Sequence, residues 1–155
     1  MRDYLRKFWH GWPAALVAVP VSLGAIEFFA EVEHLHFVLF PSTAAVALSL
    51  FTAPTGPNAT WRSTVLAPAF GALVGMFAAN VLEPGFLEVM IVVTACMLGM
   101  RLMGVMVPAV LACAIVPLFA GPDFLTLQYP AAVLAAKFFL FVMFTLWRRT
   151  LPLTA

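Results

Sequence analysis

Six apolar runs follow one another along this chain, roughly Pro13 to Ala30, Phe37 to Ala53, Thr64 to Leu82, Phe86 to Met103, Met106 to Ala120 and Pro130 to Trp147, interrupted only by charges and Pro/Gly clusters. Apolar residues fill 64% of the 155 positions, only 10% are charged, and the mean hydropathy is +1.04. A soluble domain of this size has no interior large enough to hide that fraction. A bilayer provides one, and at about 20 residues per crossing the ceiling is roughly six or seven crossings. The expected fold is therefore all-α: a polytopic transmembrane helical bundle of about six segments. It forms a single integral membrane domain over 1–155, with a basic N-terminus (1–12), membrane segments (13–147) and a short tail (148–155).

Arg2, Arg6 and Lys7 ahead of the run from Pro13 would also suit a secretory signal peptide. That run continues into Glu27, Phe28 and Phe29 without a small-x-small cleavage site, so it reads as a retained first helix. Cys96 and Cys113 lie inside apolar runs, where thiols behave as small hydrophobes, and they carry no redox or metal-ligand spacing. A net charge of +1 presents no basic surface to nucleic acid. Partners are expected among lipids, small solutes and other membrane proteins.

Charge placement orients the segments. Arg2, Arg6 and Lys7, then Arg62, Arg101, Arg148 and Arg149, all fall on one side if six segments cross with both termini cytoplasmic. The acidic Glu31, Glu33, Glu83, Glu88 and Asp123 fall on the other. Trp9, Trp12, Trp61 and Trp147 sit at the basic ends, as an interfacial aromatic belt requires. Only Lys137 breaks the basic pattern.

The second and fifth segments are short. Between Pro41 and Pro54, and between Pro108 and Pro122, about 12 helical residues cover roughly 18 Å of a hydrocarbon core about 30 Å thick. The two stretches, PSTAAVALSLFTAP and PAVLACAIVPLFAGP, also resemble each other. They suggest two inverted three-segment halves, each with a Pro-started half-helix at a matching place, an arrangement that points to a transport site. Ordinary tilted or kinked helices explain the same prolines.

Candidate site residues follow from these half-helices. Pro41 and Pro108 suit first helical positions, whose neighbouring N–H groups project free of the helix. Two such ends meeting near the midplane would favour an anion, bound by Pro41, Ser42, Thr43 and Ala44 from one half and Pro108 and Ala109 from the other. Glu27 and Lys137 are the ionisable groups well inside apolar runs, which makes them functional candidates. They either line a permeation path, with Lys137 attracting an anion or Glu27 carrying a proton, or snorkel and pair for structural reasons. Arg62 and Arg101 would bias the field along such a path.

Glu31, Glu33, His34 and His36 have no defined metal spacing and read as an exposed polar connection. Gly71 and Gly75 form a GxxxG that permits close helix contact. There is no nucleophile-base constellation, phosphate loop or Cys/His cluster, so neither an enzyme nor a cofactor or metal is expected.

From about Phe37 onward the sequence resembles the HPP family of small bacterial and plastid membrane proteins. Pro41, Ser42, Thr43, Ala44 and Ala45, then Phe51, Thr52, Ala53, Pro54, Pro57 and Arg62, follow the family's first block, with Thr43 in place of a glycine and Trp61 in place of a proline. Gly71, Ala72, Leu73, Val74 and Gly75 keep the offset of a later glycine-containing run, whereas Ala67 and Pro68 replace a Gly-His stretch. The His-Pro-Pro motif that names the family falls on Met106, Val107, Pro108 and Ala109, where only the second proline and the alanine remain.

The resemblance implies a compact helical fold, multi-pass in a bacterial inner membrane, and an association with nitrite transport. The leading expectation is thus a channel or carrier for a small inorganic anion, nitrite favoured by the resemblance. Two alternatives stand beside it: a small non-transporting subunit that stabilises a larger membrane complex, and a cation path using Glu27, Glu31 and Glu33. So few residues leave little bulk around a path, which leaves room for a homo-oligomer through the Gly71 to Gly75 face.

Overall fold

The computed structural model of the chain describes residues 16, 17, 19–26, 41–82, 85–120 and 126–150. Among them the regular structure is all helical. Helix α1 is described at residues 16, 17 and 19–26; α2 is Pro41–Thr52, α3 Ala67–Val81, α4 Phe86–Met103, α5 Ala109–Phe119 and α6 Gln128–Thr150. A π-helical turn, Arg62–Leu66, leads directly into α3. Each of the six apolar runs thus contains a helix.

Among the described residues three helices are long and apolar enough to cross a membrane: Arg62–Val81, Phe86–Met103 and Gln128–Arg149. The prolines predict two short ones, and α2 and α5 have 12 and 11 residues, about 18 and 16 Å of rise. Large apolar side chains point outward along the bundle, among them Phe77, Leu87, Ile91, Leu98, Leu102 and Phe138. Such a surface is tolerable only against lipid.

Local chemistry sets the helix ends. The third run begins a little earlier than its apolar residues indicate, because Thr60 and Ser63 cap it reciprocally: Ser63 N donates to Thr60 Oγ1 and Thr60 N to Ser63 Oγ, each at 3.3 Å. Pro68 then lies within the continuous helical path, where its ring opposes the carbonyl four residues back. The π turn widens the ladder just before it, with Ala67 N donating to Arg62 O. Helix α4 ends at Gly104, whose φ of 67° closes a left-handed cap, and Val105 N donates back to Met100 O at 3.0 Å.

Helix α3 is the centre of the bundle and packs against α4, α5 and α6. Its closest partner is α5. A Cβ added at Gly71 would strike the backbone carbonyl of Val110, and one added at Gly75 that of Ala114. The pairing order, Gly71 with Val110 and Gly75 with Ala114, makes α3 and α5 parallel. The GxxxG face is therefore occupied within the chain, and it is not the oligomer contact that the sequence left room for.

Helices α2, α4 and α6 run in the opposite sense. A side chain at Gly99 of α4 would meet the Phe70 ring of α3. Trp61 lies edge-on to Phe138 and Phe141 of α6, with centroids 5.6 Å away in both cases, while Tyr129 packs near Ala72 at the other end of the contact. Phe51 of α2 packs edge-on against Phe144 and Trp147, at 5.8 and 5.1 Å. These contacts collect the exposed Arg62, Arg101, Arg148 and Arg149 at one end of the bundle.

Candidate functional site

Helix α5 carries Pro117 in its interior, and a proline there cannot donate to the carbonyl four residues back, which belongs to Cys113. An orphaned carbonyl inside a membrane bundle costs several kcal/mol unless another donor reaches it. Tyr129 of α6 supplies that donor: its hydroxyl reaches Cys113 O at 2.7 Å, and the whole side chain is buried. The thiol of the same cysteine points the other way and donates to Ser42 Oγ at 3.4 Å.

Ser42 begins a second strip of polarity at the start of α2. Next to it, Thr43 Oγ1 accepts from Lys137 Nζ at 2.8 Å. Ser42, Thr43 and Lys137 are buried, Lys137 to 1% exposure, about midway along α6. Three of the residues singled out from sequence are thus brought together by two helices far apart in the chain. Snorkelling is corrected: the amine ends in the protein interior and not at a lipid headgroup.

Among the described residues Lys137 pairs with no carboxylate, and its other two N–H bonds have no acceptor. Ser42 Oγ accepts from the thiol, which leaves its own O–H to donate. The first-turn N–H groups of α2 have no acceptor within their helix, and the helix dipole is positive there. Donors and positive potential converge, and in its charged form Lys137 adds to both. Among the described residues no group of three His, Cys, Asp or Glu could hold a metal.

The partner half-helix does not join this site as expected. Pro108 caps α5 from an exposed position, and Val110 N and Leu111 N already donate to Val107 O and Pro108 O at 3.0 and 3.1 Å. The tight turn after Gly104 thus bonds two of the first-turn donors that were expected to face the ligand. Ala109 is buried, but α2 meets α5 at Cys113, one turn beyond it. Ala44 is half-buried beside Thr43. Pro41 starts α2, whereas Glu27, Glu31, Glu33, His34 and His36 lie outside the described residues. Arg62 and Arg101 are exposed at the arginine-bearing end and take no part in the cluster.

Cys113 and Tyr129 escaped the sequence reading, although a signal was present. A proline inside an apolar run names the carbonyl it orphans, and the tyrosine immediately before the sixth run is a donor at hand. Glu88 is one of the acidic residues that the sequence places on the side opposite the arginines. It is 4% exposed, the first member of the buried stripe Glu88, Val92, Cys96 and Met100 on α4, and its Oε1 has no hydrogen-bond partner among the described residues. The four-residue spacing of that stripe was the available clue.

The profile described as HPP, transmembrane region, matches residues 4–152. The chain belongs to the HPP transmembrane family. The match includes the first helix, which the sequence resemblance, beginning near Phe37, did not cover. No curated protein and no solved structure matches this HPP protein. In this HPP chain Pro41 and Pro108 start the two short helices, and the serine and threonine after Pro41 meet Cys113 and Lys137 respectively.

Proposed function

We propose that this HPP protein is a transmembrane conduit, a channel or carrier and not an enzyme, for a small inorganic anion, with nitrite favoured by the family resemblance. The observation that carries the reading is Lys137: a buried amine held by Thr43 at the start of α2, with no carboxylate partner among the described residues. A charge in a low-dielectric interior needs a counter-charge, and an anion bound here would supply it. It would accept from Lys137 Nζ, the Ser42 hydroxyl and the first-turn N–H groups of α2. Arg62 and Arg101, at the arginine-bearing end, act only on the field at the mouth of the path.

Flux into liposomes tests the reading. Purified protein should admit nitrite faster than empty liposomes do, with formate and chloride as comparison anions, and an equal leak with and without protein ends it. Lys137→Met should lower the flux about tenfold or more, the loss of one charge-assisted hydrogen bond at the site. Unchanged flux in a folded Lys137→Met protein assigns Lys137 to structure.

The burial of Ser42, Thr43 and Lys137 favours a second reading, a small non-transporting subunit of a larger membrane complex. It requires no path and uses Lys137 and Thr43 only to clamp α6 to α2. Its mark is co-purification with a fixed partner in the absence of any anion flux.

A further inference from the structure

At the arginine-bearing end, one face of α6 is left uncovered by the described residues. Leu134, Phe138, Val142 and Leu146 are 42%, 50%, 37% and 52% exposed and recur every four residues, one above the other. Between this stripe and Trp61 lies a groove of about 280 Å³, walled by Trp61, Phe138, Phe141, Val142 and Leu146, with the exposed Arg149 at its end. From Phe138 to Arg149 the helix rises about 16 Å, which is close to half the thickness of a hydrocarbon core of about 30 Å. The groove thus runs the depth of one leaflet, apolar along its length and cationic at the level of the headgroups.

We propose that this groove is a binding site for one anionic glycerophospholipid of the leaflet at the arginine-bearing end. An acyl chain lies along Phe138, Val142 and Leu146, and the headgroup phosphate meets the Arg149 guanidinium, which matches phosphate oxygens as a planar fork. Trp61, held edge-on by Phe138 and Phe141, sits at the depth where tryptophan is favoured and forms the opposite wall. Charge complementarity selects the headgroup and the apolar walls select a lipid over a free anion, since inorganic phosphate gains nothing from the groove. Basic pockets on membrane helices recognise anionic headgroups in this way.

The experiment uses the purified full-length protein, stripped of lipid in detergent and offered equal amounts of dioleoyl phosphatidylglycerol and dioleoyl phosphatidylcholine, with bound lipid counted by native mass spectrometry. The protein should retain phosphatidylglycerol over phosphatidylcholine about fivefold, the weight of one arginine at a charged surface. Arg149→Gln should abolish the preference, Arg149→Lys should keep part of it, and Arg148→Gln, one position away on the helix, should leave it intact. Phe138→Ala should lower retention of both lipids without changing their ratio. Equal retention of the two lipids by the parent protein overturns the proposal. So does an equal loss in Arg148→Gln and Arg149→Gln, which reports diffuse surface charge, or displacement of phosphatidylglycerol by millimolar inorganic phosphate, which reports a bare anion site.

Discussion

At the residue scale the polar interior of this protein is organised by one missing hydrogen. Pro117 has no N–H, so Cys113 O looks outside its own helix and finds Tyr129. The bond ties α6 to α5 at the level where Cys113 also reaches Ser42 of α2. Tyr129→Phe should therefore destabilise the fold by about 1–3 kcal/mol, the cost of leaving a buried carbonyl unsatisfied. Pro117→Ala restores the backbone donor. In the Pro117→Ala background Tyr129→Phe should cost much less, and a double-mutant cycle of unfolding in detergent measures the difference. An equal cost in both backgrounds would show that the hydroxyl does something else. Ser42, Thr43 and Lys137 were legible as candidates because polar groups are conspicuous in apolar runs. Cys113 and Tyr129 were not, because their polarity matters only once a neighbour's missing donor is counted.

Elements show the same division. That α2 and α5 are short could be read from Pro41, Pro54, Pro108 and Pro122, since a proline at the edge of an apolar run favours a helix start or stop there. How they meet could not. The expected apposition of two N-termini gave way to the start of α2 against the flank of α5, because the turn from Gly104 to Pro108 bonds the α5 donors to itself. The GxxxG of α3 was legible as a close contact but not as an internal one. Only the fold shows that Val110 and Ala114 of the same chain fill it. Gly75→Ala should therefore cost about 1–3 kcal/mol through overpacking against a backbone carbonyl that no rotamer change can move aside. Unfolding measured at several protein concentrations should give the same cost at each. A loss that grows with dilution would instead place the contact between copies.

For the whole molecule, the arginines collect at one end while Asn80, exposed near the far end of α3, marks the other. Sided labelling with a membrane-impermeant maleimide makes this measurable. Arg62→Cys and Arg148→Cys should label from one face of the membrane, the cytoplasmic one by the positive-inside rule, and Asn80→Cys from the opposite face. The native Cys96 and Cys113 are buried and should contribute little background. Labelling of positions 62 and 80 from the same side would contradict a crossing by α3.

Composition alone determined the solvent of this protein, because apolar surface on this scale has nowhere to go but lipid. Prolines determined the helix lengths, and the spacing of arginines determined that one end would be basic. Tertiary structure decided which residues meet. Lys137 and Thr43 are 94 positions apart, and Ser42 and Cys113 are 71. A helix apolar on every side carries no hydrophobic stripe to fix its rotation or depth against its neighbours. In this bundle those are set by glycines meeting carbonyls and by a few buried hydrogen bonds, and such pairings exist only after the helices have packed.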